Sequence, residues 1–162
     1  MDQKQAAVMA VELLKKEYPD AICSLEYRKP HELLIATRLA AQCTDARVNI
    51  VCKDLFAHYQ TVSDFAQAEL ADIEKDIKSC GLYKTKARDI LHMCQMLMSE
   101  YGGELPDTIE ELTKLPGIGR KTANLVLGDI FHKPAIVVDT HCIRITNLLG
   151  LSQGKDPLKV EN

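Results

Sequence analysis

Apolar residues recur at helical spacing along most of the chain. Over residues 3–17, Ala7, Ala10, Val11 and Leu14 lie at positions i, i+3, i+4 and i+7, so that all four side chains share one face. This pattern predicts an amphipathic helix. The same spacing predicts further helices near 30–41, 45–59, 62–67, 69–80, 85–101 and 109–115, another that begins near Arg120, and one over 141–149.

The helix that begins at Pro30 is apolar on nearly all sides, with runs of apolar residues at 33–36 and 39–41. Proline is well tolerated at the first position of a helix, and an apolar surface all round predicts a central, buried helix. Residues 135–138 are apolar and β-branched, but this run is too short and isolated to predict a sheet. The chain is therefore predicted to be all-α, with about nine helices.

Residues 115–123 read Leu-Pro-Gly-Ile-Gly-Arg-Lys-Thr-Ala and predict a tight turn between two helices. Pro116 ends the first helix, because proline disfavours helical geometry in the residue before it. Gly117 and Gly119 let the backbone take positive φ and bring bare N–H groups close to a ligand. The helix near Arg120 presents the positive end of its dipole, which attracts an anion such as a nucleic-acid phosphate. A plain corner between two helices would use the same glycines and proline, so both interpretations stand at this point.

Lys121 lies in the first turn of that helix, where the dipole and the neighbouring Arg120 both favour a neutral amine. A neutral lysine can attack carbon and form a Schiff base, whereas a charged lysine would only bind phosphate. The residues alone leave both roles open. Asp139 follows a short apolar run and is a good N-cap residue for the helix over 141–149, so a structural role accounts for it.

Composition places the chain among ordinary globular proteins. Its 162 residues are enough for one domain with a real core, and hydrophobic and charged residues make up 46% and 27% of it. No apolar run is long enough to span a membrane and the N-terminus lacks an apolar signal core, so we expect a cytoplasmic protein.

The net charge of −3 argues weakly against a nucleic-acid partner, although a local basic patch would suffice to bind one. Candidates for this patch are Lys84, Lys86, Arg88, Lys114, Arg120, Lys121 and Arg144.

Six cysteines occur, at positions 23, 43, 52, 80, 94 and 142. No two of them form a Cys-x-x-Cys pair, so the spacing supports neither a zinc site nor a redox motif. Most lie among apolar residues, which predicts reduced thiols that are buried as small hydrophobic side chains.

The segment 115–123 resembles the helix–hairpin–helix signature of the endonuclease III family of base-excision DNA glycosylases. The likeness covers nearly the whole chain. It extends through 124–127, 138–141 and Arg144, and upstream, in the same order, through 32–36, 41–45 and 81–83. The resemblance implies a helix–hairpin–helix glycosylase fold, with a barrel-like helical domain over 20–131 and an incomplete second helical lobe made of 1–19 and 132–162.

The resemblance also implies an activity. Members of this branch excise oxidised pyrimidines and then cut the abasic strand by β-elimination through a lysine Schiff base. Lys121 matches the nucleophile and Asp139 the catalytic aspartate, whose carboxylate would stabilise positive charge on the sugar and help move protons. The alternative is a helix–hairpin–helix module that binds DNA without catalysis and has no use for Asp139.

The residues that would touch DNA are carried over from the same motifs. Gln42 matches a glutamine that fills the gap left by a flipped nucleotide, and Leu82 matches a second wedge beside the lesion. Gly117, Gly119 and Arg120 would hold backbone phosphates without reading sequence. The implied partner is damaged double-stranded DNA, approached by a monomer, with no membrane involved and with nucleoid association in a bacterium.

Full-length members of the family carry a 4Fe–4S cluster on four C-terminal cysteines. This chain has no such cysteine pattern and ends at 160–162, just after a helix start at Asp156, so we expect C-terminal truncation and no metal. We also expect a folded centre, loosely held ends and little or no glycosylase activity from these 162 residues alone. Ile143, Leu148 and Leu149 are the side chains expected to be left uncovered.

Overall fold

A computed structural model describes residues 2–162, and every regular element in that range is helical. The predicted all-α class is therefore confirmed. Within this range no helix is both long and apolar enough to cross a membrane. The helices are α1 (Gln3–Glu17), α2 (Pro30–Ala40), α3 (Asp45–His58), α4 (Val62–Ala66), α5 (Leu70–Asp76), a 3-10 helix (Lys78–Cys80), α6 (Tyr83–Tyr101), α7 (Ile109–Leu112), α8 (Arg120–Asp129), α9 (Thr140–Leu148) and α10 (Pro157–Glu161).

The chain divides into two compact units. The central unit comprises residues 24–135, and the terminal unit combines residues 1–23 with residues 136–162. The central unit contains α2 to α8, whereas the terminal unit contains α1, α9 and α10.

The core of the central unit is built around α2 and α6. Pro30 occupies the start of α2, and Leu33, Leu34 and Ile35 are completely buried, as the apolar pattern predicted. Helix α6 packs on α2, α4 and α5 through an inner face that includes Ile90. Each such aliphatic side chain contributes about 1.5–3 kcal/mol when it leaves water. This core is the frame that positions the loops described below.

One helix boundary differs from the prediction. Helix α7 ends at Leu112, three residues before the predicted end at Leu115. The chain instead passes through successive turns, in which the N–H of Leu115 donates to the carbonyl of Leu112 and that of Ile118 to Leu115. These turns let the chain bend sooner and form the hairpin before α8.

The terminal unit has little apolar core of its own. None of the residues of α1, α9 or α10 is fully buried. Leu148 and Leu149 are 75% and 52% exposed, as predicted, but Ile143 is half-buried and Ile145 takes the exposed place. A side-chain bond from Gln3 to the carbonyl of Leu151 joins the two ends of the chain at 2.6 Å.

Candidate nucleic-acid interface

The hairpin between α7 and α8 is held from beneath by two apolar side chains. Leu115 and Ile118 are 2% and 6% exposed, and a hydrogen bond of 3.1 Å between their backbones closes the turn. Gly117, at the tip of this turn, is exposed. The core therefore anchors the hairpin and presents its backbone to solvent.

Gly117 has a φ of +76°, the left-handed region that the sequence predicted for it. A Cβ at this position would lie 2.5 Å from Nε of Arg38 and 2.9 Å from Oδ2 of Asp89. Arg38 and Asp89 form an ion pair between α2 and α6, with Nε and Nη2 at 2.8 and 2.7 Å from the same carboxylate oxygen. Glycine is thus required at position 117 for two reasons. The backbone angle is left-handed, and any Cβ would clash with this ion pair.

Gly119 is different, and the prediction of positive φ is wrong there. Its φ of −97° and ψ of 177° are extended, so any residue could adopt them. A Cβ at Gly119 would meet no atom within 4 Å. Gly119 is the N-cap of α8 and offers no side-chain oxygen to it, whereas Asp139 caps α9 by accepting from the N–H of Cys142 at 2.8 Å. The start of α8 therefore has no side-chain cap, and the space that a Cβ on Gly119 would take is open, which suits an anion.

Arg120 and Lys121 form the first turn of α8 and are both exposed. The opposite face of the helix is buried through Ala123, Val126 and Leu127. The first turn contains no acidic residue. The amphipathic pattern of α8 thus directs both cationic side chains away from the core, at the end of the helix where the hairpin enters it.

Gln42 and Leu82 lie in two exposed loops of the same unit and share an unusual backbone. Their φ angles are +54° and +47°, and Leu82 is 60% exposed. Among the described non-glycine residues, only His132 also has positive φ. A left-handed conformation costs a non-glycine residue about 1–2 kcal/mol, and such cost at an exposed leucine indicates a role other than packing. No signal in the sequence marks these angles.

Lys86 does not belong to a basic surface patch, and that prediction is wrong. The side chain is completely buried, and its Nζ donates hydrogen bonds to two backbone carbonyls. The sequence contained the signal, because Lys86, Ile90, Met93 and Leu97 lie at i, i+4, i+7 and i+11 on the inner face of α6. Lys84, Arg88 and Lys114 are exposed, and Nζ of Lys114 lies 2.5 Å from a carboxylate oxygen of Glu111.

Asp139 lies in the terminal unit, in the segment that precedes α9. The predicted capping role is confirmed by its bond to the N–H of Cys142. The side chain is half-buried. Burial, and after it the charge of Asp139, raise the pKa of the Cys142 thiol. The cap uses Oδ1 and leaves the carboxylate charge in place, so this geometry is compatible with a chemical role.

All six cysteines are free thiols. Cys52, Cys80 and Cys94 are buried, and burial raises the pKa of Cys52 and Cys94 to about 12. The other three are half-buried, so the prediction that most are buried holds for only half of them. No three His, Cys, Asp or Glu side chains gather as a possible metal site within residues 2–162. The cysteines present therefore do not fit the ligand set of a four-cysteine iron–sulfur cluster.

Comparison with known proteins identifies the family. A model of the family described as "HhH-GPD superfamily base excision DNA repair protein" matches residues 35–162. The chain belongs to this superfamily. Endonuclease III of Bacillus subtilis is 48% identical over 145 residues, a match that covers 89% of this chain and 66% of the relative. Endonuclease III of Synechocystis sp. is 44% identical over 160 residues, covering 98% and 73%.

Solved structures give the same result. A trapped covalent intermediate of an endonuclease III with DNA matches with a TM-score of 0.89 and 47% identity, over 99% of this chain and 76% of that one. A thermostable thymine-DNA glycosylase matches with a TM-score of 0.79 and 27% identity, covering 89% and 67%. The resemblance to endonuclease III and the helix–hairpin–helix glycosylase fold are thereby confirmed. The chain spans about two thirds to three quarters of the length of these relatives.

Proposed function

We propose that this protein is a base-excision repair enzyme that removes oxidised pyrimidines from double-stranded DNA and then nicks the abasic strand. The observation that carries the proposal is the exposed Lys121 in the first turn after a solvent-facing hairpin. The chain that holds it is 47% identical to an endonuclease III captured as a covalent intermediate with DNA. A covalent intermediate requires a nucleophile, and a lysine amine is one that forms a Schiff base with a sugar carbon.

In the proposed complex, the hairpin binds the DNA backbone. Phosphate oxygens would approach the extended backbone at Gly119 and the start of α8, with Arg120 as an additional cation. Phosphate contacts of this kind fix position and carry no sequence information, which suits an enzyme that must inspect any sequence.

The damaged nucleotide would then leave the base stack, because its glycosidic bond is out of reach inside the duplex. Gln42 would fill the space that the nucleotide leaves, and Leu82 would press into the stack beside it. Both side chains are exposed, and both residues have a left-handed backbone. An apolar wedge offsets part of the cost of unstacking.

In the chemical step, the amine nitrogen of Lys121 attacks C1′ of the deoxyribose with its lone pair. The bond from C1′ to the base breaks, and the base leaves with the electron pair. Opening of the sugar ring gives the protonated Schiff base. Loss of a proton from C2′ then expels the 3′ phosphate, which is the β-elimination step. Asp139 would stabilise the positive charge that develops on the sugar and accept protons at Lys121.

The protein would act as a monomer on damaged duplex DNA, at the nucleoid in a bacterial cell. The hairpin, the first turn of α8 and the loops of Gln42 and Leu82 all lie within the one unit of residues 24–135. One chain thus supplies every proposed DNA contact. Nothing in the comparisons favours the alternative of a DNA-binding module without catalysis, and the match to the family model extends past Asp139 to residue 162.

The proposal is tested with a labelled duplex that carries one thymine glycol, an oxidised pyrimidine. The expected products are free thymine glycol and a strand nicked on the 3′ side of the lesion, with the matched undamaged duplex left intact. A duplex that wild-type protein binds, but neither cuts over long incubation nor is trapped on by borohydride when it contains an abasic site, would favour the non-catalytic module.

A further inference from the structure

Lys86 is a fully buried cation on the inner face of α6. Its Nζ donates to the carbonyl of Leu39 at 2.8 Å and to the carbonyl of Cys80 at 2.7 Å. A lysine is seldom buried without partners, because loss of water is costly for an ammonium group. Burial accordingly lowers the pKa of Lys86. The hydrogen bonds to the two carbonyls offset the free-energy cost of removing the amine from water.

The two carbonyls lie at corresponding places in the fold. Leu39 is in the last turn of α2, and Gln42 follows three residues later. Cys80 ends the 3-10 helix, and Leu82 follows two residues later. The unbonded carbonyls at the end of a helix carry partial negative charge, so an amine between two such ends is bound by both. Lys86 thereby joins the starts of the two loops that carry positive φ.

Cys43 and Cys80, each next to one of the strained segments, also interact: after burial, the larger cause, the neighbouring Cys43 raises the pKa of the Cys80 thiol to about 11. One turn further along α6, Asp89 binds Arg38 beneath Gly117 of the hairpin. The first two turns of α6 therefore support every loop that the proposed function brings to DNA.

We propose that Lys86 is a positioning residue, which holds the loops of Gln42 and Leu82 in the one arrangement that can enter the base stack around a flipped nucleotide. The inference rests on the proposed function, because it assumes that those two side chains act as wedges. The amine itself touches no DNA, since it is buried. Its effect on catalysis passes through the backbones of Leu39 and Cys80.

The test compares Lys86→Met with the wild-type chain. Methionine fills similar space but donates no hydrogen bond, so both carbonyls lose their partner. Hydrogen exchange is expected to rise in residues 40–44 and 80–83 together. Single-turnover excision of thymine glycol is expected to fall on the order of 10–100-fold, since small misplacement of a positioning group costs this much. The Kd for undamaged duplex should stay within about twofold, because the hairpin's phosphate contacts remain.

Leu97→Ala is the matched control. Leu97 is also fully buried on the inner face of α6, eleven residues or about 16 Å further along the helix. This change should destabilise the fold without loosening the two loops. If Lys86→Met does not fold, Lys86→Gln is measured instead; its neutral, shorter side chain keeps an NH₂ donor, so the same changes are expected at a smaller size.

A double-mutant cycle separates positioning from general stability. In the Gln42→Ala/Leu82→Ala background, Lys86→Met should lower the excision rate no further, because the residues through which it acts are already gone. Unchanged exchange in both loops, or an equal loss of rate in both backgrounds, would overturn the inference. Wild-type protein that neither excises thymine glycol nor is trapped by borohydride on an abasic duplex would instead overturn the proposed function.

Discussion

At the scale of single residues, the two hairpin glycines are required for different reasons. Gly117 is needed by the chain itself, because a Cβ would strike Arg38 and the backbone is left-handed. Gly119 is the N-cap of α8, but its extended backbone and the open space at its Cβ position would accept a side chain. Where neither the backbone angle nor packing within the chain requires a glycine, we expect its missing Cβ to make room for a ligand.

Gly119→Ala should therefore lower the free energy of unfolding by no more than about 1 kcal/mol, the cost of alanine at an N-cap, and should weaken DNA binding. Loss of one backbone–phosphate hydrogen bond corresponds to about 0.5–1.5 kcal/mol, or roughly a two- to tenfold rise in Kd. The rise should be alike for all duplex sequences. Gly128→Ala, at the other end of α8, is the control and should not change Kd. A Cβ at Gly128 would lie at an ordinary contact distance of 3.9 Å from the Cβ of Ala135. A loss confined to one DNA sequence would contradict a phosphate contact.

Asp139→Asn tests whether the carboxylate serves chemistry as well as capping. Asparagine is a good N-cap, so the melting temperature should change little, while turnover should fall by about 10²–10⁴-fold with the loss of the charge. Asp156→Asn is the control, because Asp156 caps α10 in the same unit and should leave turnover unchanged. If Asp139→Asn lowers stability severely and the remaining folded protein turns over normally, Asp139 is only a cap.

At the scale of elements, the helices were predictable because their apolar spacing directly reflects which face is buried. Helix α2 shows this best, since its unbroken apolar runs coincide with complete burial of Leu33, Leu34 and Ile35. The early end of α7 was not predictable. The helix is replaced by backbone hydrogen bonds within turns, and these bonds do not depend on which side chains are present.

The supports of the candidate site were predictable only in part. Lys86 lies at a core position of α6, but its charge predicts an exposed side chain, because lysine is almost never fully buried. The left-handed backbone at Gln42 and Leu82 could not be predicted, since these residue types normally avoid it and the cost is met by tertiary contacts. The ion pair of Arg38 and Asp89 joins residues 51 positions apart, and local sequence patterns do not predict contacts over such a separation.

At the scale of the whole molecule, the two units differ in how much apolar surface they bury. The central unit has a continuous core, whereas Leu13, Leu14, Leu148 and Leu149 of the terminal unit are more than half exposed. Each large aliphatic side chain left in water forfeits about 1.5–3 kcal/mol, against a total stability of only about 5–15 kcal/mol for a domain.

Hydrogen exchange should therefore be slow across residues 33–131 and fast across 3–17 and 139–162. The difference follows because local opening costs least where few apolar side chains are buried. Peptide-resolved exchange followed by mass spectrometry measures it directly. Equal protection in the centre and at both ends would show that the terminal unit is held as firmly as the core.

The central claim is that Lys121 forms a Schiff base with the sugar of a damaged nucleotide. The direct measurement is borohydride reduction during incubation with a duplex that contains an abasic site, because reduction makes the covalent complex permanent and lets even slow chemistry accumulate. We predict a trapped complex with the wild-type chain and with Lys53→Gln, an exposed lysine on α3. We predict none with Lys121→Gln. Undiminished trapping by Lys121→Gln would contradict the account, because another amine would then be the nucleophile.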